Sequence, residues 1–337
     1  MSRFNFSEGM FGTYKTISFV DYNNGNKFEI LLSGATPLNF VTQINEKQFN
    51  ILDGFKNDDE VKSGSGARCW IMTPFANRIP NGVYQFNGMN YKLNPLPPRT
   101  QVIHGLTSRE VFVLSNVETN HNFIEATFVY NKIRPGKFEG YPFAIDVFIK
   151  YKLEENKLTI HVSCENVGDF SAPFQTGWHP YFKTSENGIE NLILTVDANQ
   201  IVLVDDNLIP LNGNQAFKKI DNFPVIDFRS QAPIDERKIN RRIIDKCFAD
   251  LQADKDNISK SSIYDPENGI AISLFQNGGV TLVFTGDTLS RGQRQSIAIE
   301  PMQFITNAFN REELKNNLTV LPGEKSSFKF GFEISKG

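Results

Sequence analysis

Apolar and polar residues alternate with a period of two along most of this chain. The stretch K-L-T-I-H-V-S-C-E (157–165) puts Leu158, Ile160, Val162 and Cys164 on one face and His161 on the other. Residues 144–153 and 279–285 alternate in the same way. Asn81-Gly82 and Asn87-Gly88 bracket residues 83–86 as turns around a hairpin strand, and Gly278-Gly279 and Glu154-Glu155-Asn156 also read as turns. Short strands separated by turns predict an antiparallel, all-β architecture. Helical patterns are few and short, at residues 42–52, 245–256 and 311–317. The polar residues 54–66 read as a surface loop. No shift in composition marks a linker and no short repeat is found, so residues 1–337 are read as one β domain.

Composition adds a Phe-rich core, with 30 Phe against 2 Trp. A net charge of -3 and the lack of a Lys/Arg run give no footprint for nucleic acid or for an anionic membrane surface. No stretch approaches the ~18 apolar residues that span a bilayer. The N-terminal residues lack the unbroken apolar run of a signal peptide. Cys69, Cys164 and Cys247 are odd in number and widely spaced, which suggests neither a zinc site nor a disulfide framework and fits a reducing cytoplasm. Phosphate-binding glycine loops and a nucleophile elbow are absent from the sequence.

Two segments stand out chemically. In S-I-A-I-E-P-M (296–302), Ile297 and Ile299 point to one face while Ala298 and Glu300 point to the other. A carboxylate beside apolar neighbours loses solvation and becomes a stronger base, although an edge-strand Glu facing water reads equally well. In T-G-W-H-P-Y-F (176–182), Pro180 biases His179 toward an extended backbone among Trp178, Tyr181 and Phe182. Such a histidine can project into an aromatic-lined cleft or be hydrogen-bonded in a core. His104 precedes Gly105, where a sharp turn can stand an imidazole in a cleft. Asn77 and Arg78 offer donors and an acceptor suited to vicinal hydroxyls, or tie down a loop. Asp245 can accept from two adjacent hydroxyls or cap a turn. His161 reads as structural or exposed, and His121 lies in a turn.

In order along the chain, P-F-A-N-R-I-P-N-G-V-Y-Q-F-N-G-M-N-Y-K-L (74–93), I-H-G-L (103–106), G-Y-P-F (140–143), T-G-W-H-P-Y-F (176–182), D-K-C-F (245–248) and I-E-P-M-Q-F-I-T-N-A-F-N (299–310) resemble the aldose 1-epimerase family of the galactose mutarotase-like superfamily. The resemblance implies a large antiparallel β-sandwich with a sugar cleft. It implies interconversion of the anomers of a free hexose without a cofactor or metal. It places Glu300 as the base and His179 as the acid, with His104 as a second active-site histidine. Asn77, Arg78 and Asp245 fall on hydroxyl-binding positions, and Trp178 is taken as a further substrate contact.

The run H-G-L-T-S-R-E-V-F (104–112) departs from the family's usual second glycine and later aromatic residue. Arg109 in that run, and Arg99 before it, are candidates to reach an anionic substituent. Epimerisation of a hexose 6-phosphate and non-catalytic sugar binding are therefore the rival readings, and a glycosidase would need Asp245 as a second acid. The expected partner is a monosaccharide, with neither nucleic acid nor membrane, and the expected state is a monomer or homodimer.

Overall fold

Strands dominate the computed structural model, which describes residues 2–44 and 46–336. Three antiparallel sheets hold most of them. The first is a five-stranded meander from Phe4–Phe11 to Lys47–Asn50. The second has eight strands, with Lys325–Lys336 paired between Ile270–Gln276 and Lys157–Asn166. The third also has eight and carries the candidate chemistry. Its order is Phe217–Lys219, Ala198–Val202, Asp245–Leu251, Val280–Phe284, Ile297–Met302, Gly177–Trp178 and Ile71–Met72, with Tyr181–Phe182 also paired to Ile297–Met302. Such closely paired, alternating strands are what the period of two dictates.

Alternation decides which side chains join the core. Leu158, Ile160, Val162 and Cys164 are buried, whereas His161 lies on the other face, level with Lys150 and Lys329. Phe332 joins the layers. Its ring meets Phe40 of the first sheet at 4.9 Å and Phe182 of the third at 5.4 Å, both edge-on. Aromatic pairs at such spacings and tilts add to their area burial. One buried cluster extends through these rings from Phe4 to Ile334.

Two of the three helical expectations are overturned. Residues 42–44 and 47–50 lie in a hairpin of Thr36–Ile44 and Lys47–Asn50, with Val41 opposite Asn50 and Ile44 opposite Lys47, and residue 45 lies outside the described residues. Buried and less buried positions alternate along Thr36–Ile44, so the sheet pattern outweighs a weak helical one. Residues 245–251 form the strand Asp245–Leu251, held between Ala198–Val202 and Val280–Phe284. The third expectation holds: Glu312–Leu314 is a 3₁₀ turn that runs into the short helix Lys315–Leu318.

Within residues 54–66, expected as loop, Asp58–Ser63 is helical. Asn57 caps it by accepting from the Glu60 amide, the Glu60 carboxylate accepts from the Lys56 amide, and Gly64 closes it at φ +66°. These reciprocal caps hold a helix too short for periodicity to reveal.

Candidate active site

Strand register sets Glu300 and His179 side by side. Gly177 pairs with Met302 and Tyr181 with Ala298, so His179 falls level with Glu300. On its other side, His179 exchanges backbone hydrogen bonds with the 69–70 segment, its amide donating to Trp70 and its carbonyl accepting from Cys69. His179 Nε2 lies 3.2 Å from Glu300 Oε1. Glu300 is 1 % exposed on a central strand, so it is not an edge residue facing water.

Burial pushes the Glu300 carboxyl well above its usual range, and the Asp245 carboxylate adds to the rise while Arg78 opposes it. Burial pushes the His179 imidazole down to about 3, with Arg99, Arg68 and Arg78 contributing. Among the described residues, Glu300 Oε2 and His179 Nδ1 have no hydrogen-bond partner. Both atoms are therefore available to a group that enters the site.

A second wall begins at Asn77. The His104 amide donates to the Asn77 carbonyl, and Arg78 bridges Ile103. His104 itself sits at φ +62° and Gly105 at +79°, the sharp turn expected of a His-Gly pair. A Cβ on residue 105 would meet the Thr73 carbonyl oxygen at 2.2 Å, so only glycine fits there. Left-handed backbone at a non-glycine residue is costly and is found disproportionately at functional sites.

The His104 ring stands edge-on to His179 at 4.9 Å. Its Nδ1 is 2.9 Å from Met72 Sδ. A thioether only accepts, so Nδ1 carries the hydrogen. Burial, together with the charges of His179, Arg99 and Arg78, keeps the ring neutral, which leaves Nε2 as an acceptor. Met72→Leu should release that tautomer and raise KM by up to about tenfold, the worth of one hydrogen bond. ¹⁵N shifts of the His104 ring check it. An unchanged tautomer would show that Met72 does not set it.

These walls enclose a cleft of about 660 Å³, within the usual range for a small-molecule site. Asn77, Arg78, His104, His179, Asp245 and Glu300 all line it. Burial raises the Asp245 carboxyl, while Arg78 and Lys246 oppose the rise. Asn77 Oδ1 is already engaged by the backbone amide and Nη1 of Arg78, so Asn77 acts in part by aiming Arg78.

Trp178 does not reach the cleft. Alternation turns it to the opposite face from His179. There it is fully buried, stacks near Phe330 and Phe332 at 6.0 and 6.2 Å, and donates Nε1–H to the Cys69 carbonyl. It is a core residue, and the expectation that it contacts substrate is corrected. Arg109 is also turned away from the cleft: it donates to the carbonyls of Pro97 and Ser63 and borders a separate depression. Arg99 does line the cleft.

Sequence reasoning missed the support beneath His179. Tyr181 stacks on the His179 ring at 5.0 Å and itself lines the cleft. The Arg68 guanidinium lies 5.0 Å from the Tyr181 ring centroid and is bound to Asp53. Period-two spacing from His179 would have flagged Tyr181. Nothing local signals Asp53 or Arg68, which meet only in the fold. Among the described residues, no group of three His, Cys, Asp or Glu side chains is placed to hold a metal ion. Nor is any described helix long and apolar enough to cross a membrane.

The architecture is shared with known proteins. A galactose mutarotase-like protein from Clostridium acetobutylicum superimposes with a TM-score of 0.82 at 16% identity, covering 99% of each chain. Galactose 1-epimerase from Lactobacillus acidophilus NCFM gives 0.78 at 18% identity over 100% of both chains. In sequence, the uncharacterized protein YihR of Escherichia coli K12 is 27% identical over 71% of each chain. Galactose mutarotase of Sus scrofa is 28% identical over 40% of this chain and 38% of its own. The profile of the family described as aldose 1-epimerase matches residues 18–333. With nearly the whole sequence matched and the fold in common, this chain belongs to the aldose 1-epimerase family.

Proposed function

We propose that the cleft interconverts the α and β anomers of a free aldose by acid–base ring opening and reclosure. The buried Glu300–His179 pair at the cleft floor is the observation that carries this reading. Glu300 takes the proton from the C1 hydroxyl while His179 delivers one to the ring oxygen. The bond from C1 to the ring oxygen breaks, and C1 becomes an aldehyde. Rotation about C1–C2 presents the other carbonyl face. The C5 hydroxyl then attacks, His179 takes its proton back, and Glu300 returns one to the new C1 oxygen. Arg78, Asp245 and Asn77 hold the ring hydroxyls, and His104 Nε2 accepts from one more.

Acid and base each contribute about 10²–10⁴-fold, and positioning supplies more. Mutarotation also proceeds unaided in water, so the acceleration required is modest. Burial favours a pair that holds one proton, resting on Glu300 beside a neutral His179, so that proton passes to His179 before Glu300 acts as the base.

Polarimetry of freshly dissolved α-D-galactose and α-D-glucose is the direct test. Rotation that relaxes faster than in buffer, in proportion to protein concentration, is expected. Sugar that binds without faster relaxation would make this a binding protein. In that case His179→Asn would retain full affinity.

A further inference from the structure

Two guanidinium groups share one indole beside the cleft. Arg99 lies 4.3 Å from the Trp70 ring centroid and Arg109 lies 5.8 Å from it. Among the described residues, neither has a carboxylate within ion-pair distance. Their recorded hydrogen bonds go to carbonyl oxygens: Arg99 to Gly64 and Ile103, and Arg109 to Ser63 and Pro97. Burial, with Arg109 beside it, lowers the Arg99 pKa to about 10. Two like charges, partly desolvated and lacking a counter-charge, oppose folding. A ligand anion would relieve this cost.

Only one of the two can reach such a ligand. Arg109 is turned to the outer depression, while Arg99 lines the cleft with Thr100 and Gln101. Arg99 has five N–H donors, and carbonyls take only some of them. Its stacking on Trp70 and its bond to Gly64 hold the guanidinium in place.

The position of Arg99 matches one end of a sugar. In a pyranose the ring oxygen joins C1 to C5, and C6 hangs from C5. With Glu300 at the C1 oxygen and His179 at the ring oxygen, the sequence of atoms leads past His179 toward C6. His104 stands against His179, and Arg99 holds the carbonyl of Ile103, its neighbour in the chain. The charges of Arg99 and Arg78 both act on the two histidines, and Arg78 acts on Glu300 as well. Arg99 thus sits by the histidine wall of the cleft, next to the His104 segment.

We propose that the preferred substrate is an aldose with an anionic oxygen-bearing group, a phosphate ester or a carboxylate, at its C6 end, seated on Arg99. This inference rests on the epimerase reading for the placement of C1. It goes further by assigning the substrate class and the residue that selects it.

Anomer exchange measured by NMR tests it with D-glucose, D-glucose 6-phosphate and D-glucuronate. For wild type, kcat/KM for a charged sugar should exceed that for glucose at least about tenfold at low salt and approach it at high salt. The faster of the two charged sugars identifies phosphate or carboxylate as the group recognised. Arg99→Gln should bring the charged-to-neutral ratio toward one, and Arg99→Lys should keep part of it, since a point charge remains but the planar fork is lost. Equal kcat/KM for charged and neutral sugars in wild type would overturn the proposal while leaving the epimerase reading intact. If no sugar is exchanged, the epimerase reading falls, and calorimetry with glucose 6-phosphate and glucose decides the anion site. Tighter binding of the phosphate, lost in Arg99→Gln, upholds it, and equal binding overturns it.

Discussion

Glu300→Gln should lower kcat by about 10²–10⁴-fold while sugar affinity stays within about tenfold, because a general base acts in the transition state. Gln keeps the shape and one acceptor oxygen, so the nearby His179 retains a hydrogen-bond partner. What is lost is the ability to take a proton. Polarimetry gives kcat, and calorimetry of the variant gives affinity. Wild-type turnover in this variant would remove Glu300 from the mechanism.

The same pair fixes the sign of the pH dependence. At 3.2 Å, His179 and Glu300 titrate as a unit, and the form holding one proton is the one that can work as acid and base together. Adding a second proton requires a charged imidazole in a buried site, and burial has pushed that event down to about 3. Removing the only proton requires an ionised Glu300 beside a neutral histidine, and burial has pushed that event up from the usual carboxylate range. Activity should therefore persist through pH 5 and decline as pH rises through the raised upper pKa. The profile of kcat/KM checks this. An acid limb centred near 6.5, the ordinary histidine value, would show that the pair does not share a proton in this way.

How much of this could be read from the sequence depended on distance along the chain. The period of two in residues 157–165 gave the strand and its buried face, because side-chain direction there is a local property. The assignment of Glu300 to a face held for the same reason. Applied to residues 176–182, the identical rule would have sent Trp178 inward once His179 was placed in the cleft. Clustering the aromatic residues by composition instead of by phase led to the wrong assignment.

The helical expectation for residues 42–52 failed because a hairpin partner, not propensity, decides such a segment. Arg109 looked available because its acceptors, the carbonyls of Ser63 and Pro97, are backbone atoms that no motif reveals. The support under His179 was illegible for a related reason. Asp53, Arg68, Tyr181 and Ser296 are far apart in sequence and converge only through the pairing of strands.

Asp53→Asn is expected to destabilise the protein by about 3–5 kcal/mol, the usual cost of stranding a buried charge. The carboxylate accepts from Arg68 Nη1 at 2.5 Å, Ser296 Oγ at 2.8 Å and Arg291 Nη1 at 3.0 Å. Arg68 is only 1 % exposed, so no water can replace the lost charge without opening the core. Burial by itself would raise the Asp53 pKa, but Arg68, Arg291 and Ser296 outweigh it and hold the carboxyl below its usual value. A depressed native pKa contributes stability that is complete above the unfolded value of about 3.9 and is lost as pH falls through the native one. Wild-type stability should thus drop in strong acid, and the Asn variant should lose much of that dependence.

The damage should also reach the chemistry. Arg68 supports Tyr181, and Tyr181 stacks on His179, so a loosened Arg68 frees the ring proposed to deliver the proton. Urea unfolding of wild type and variant, followed at neutral and acidic pH, measures the stability term, and kcat of the folded variant measures the second. A loss under about 1 kcal/mol, with kcat unchanged, would mean that Arg68 finds solvent or another acceptor and that the His179 ring is held without this network.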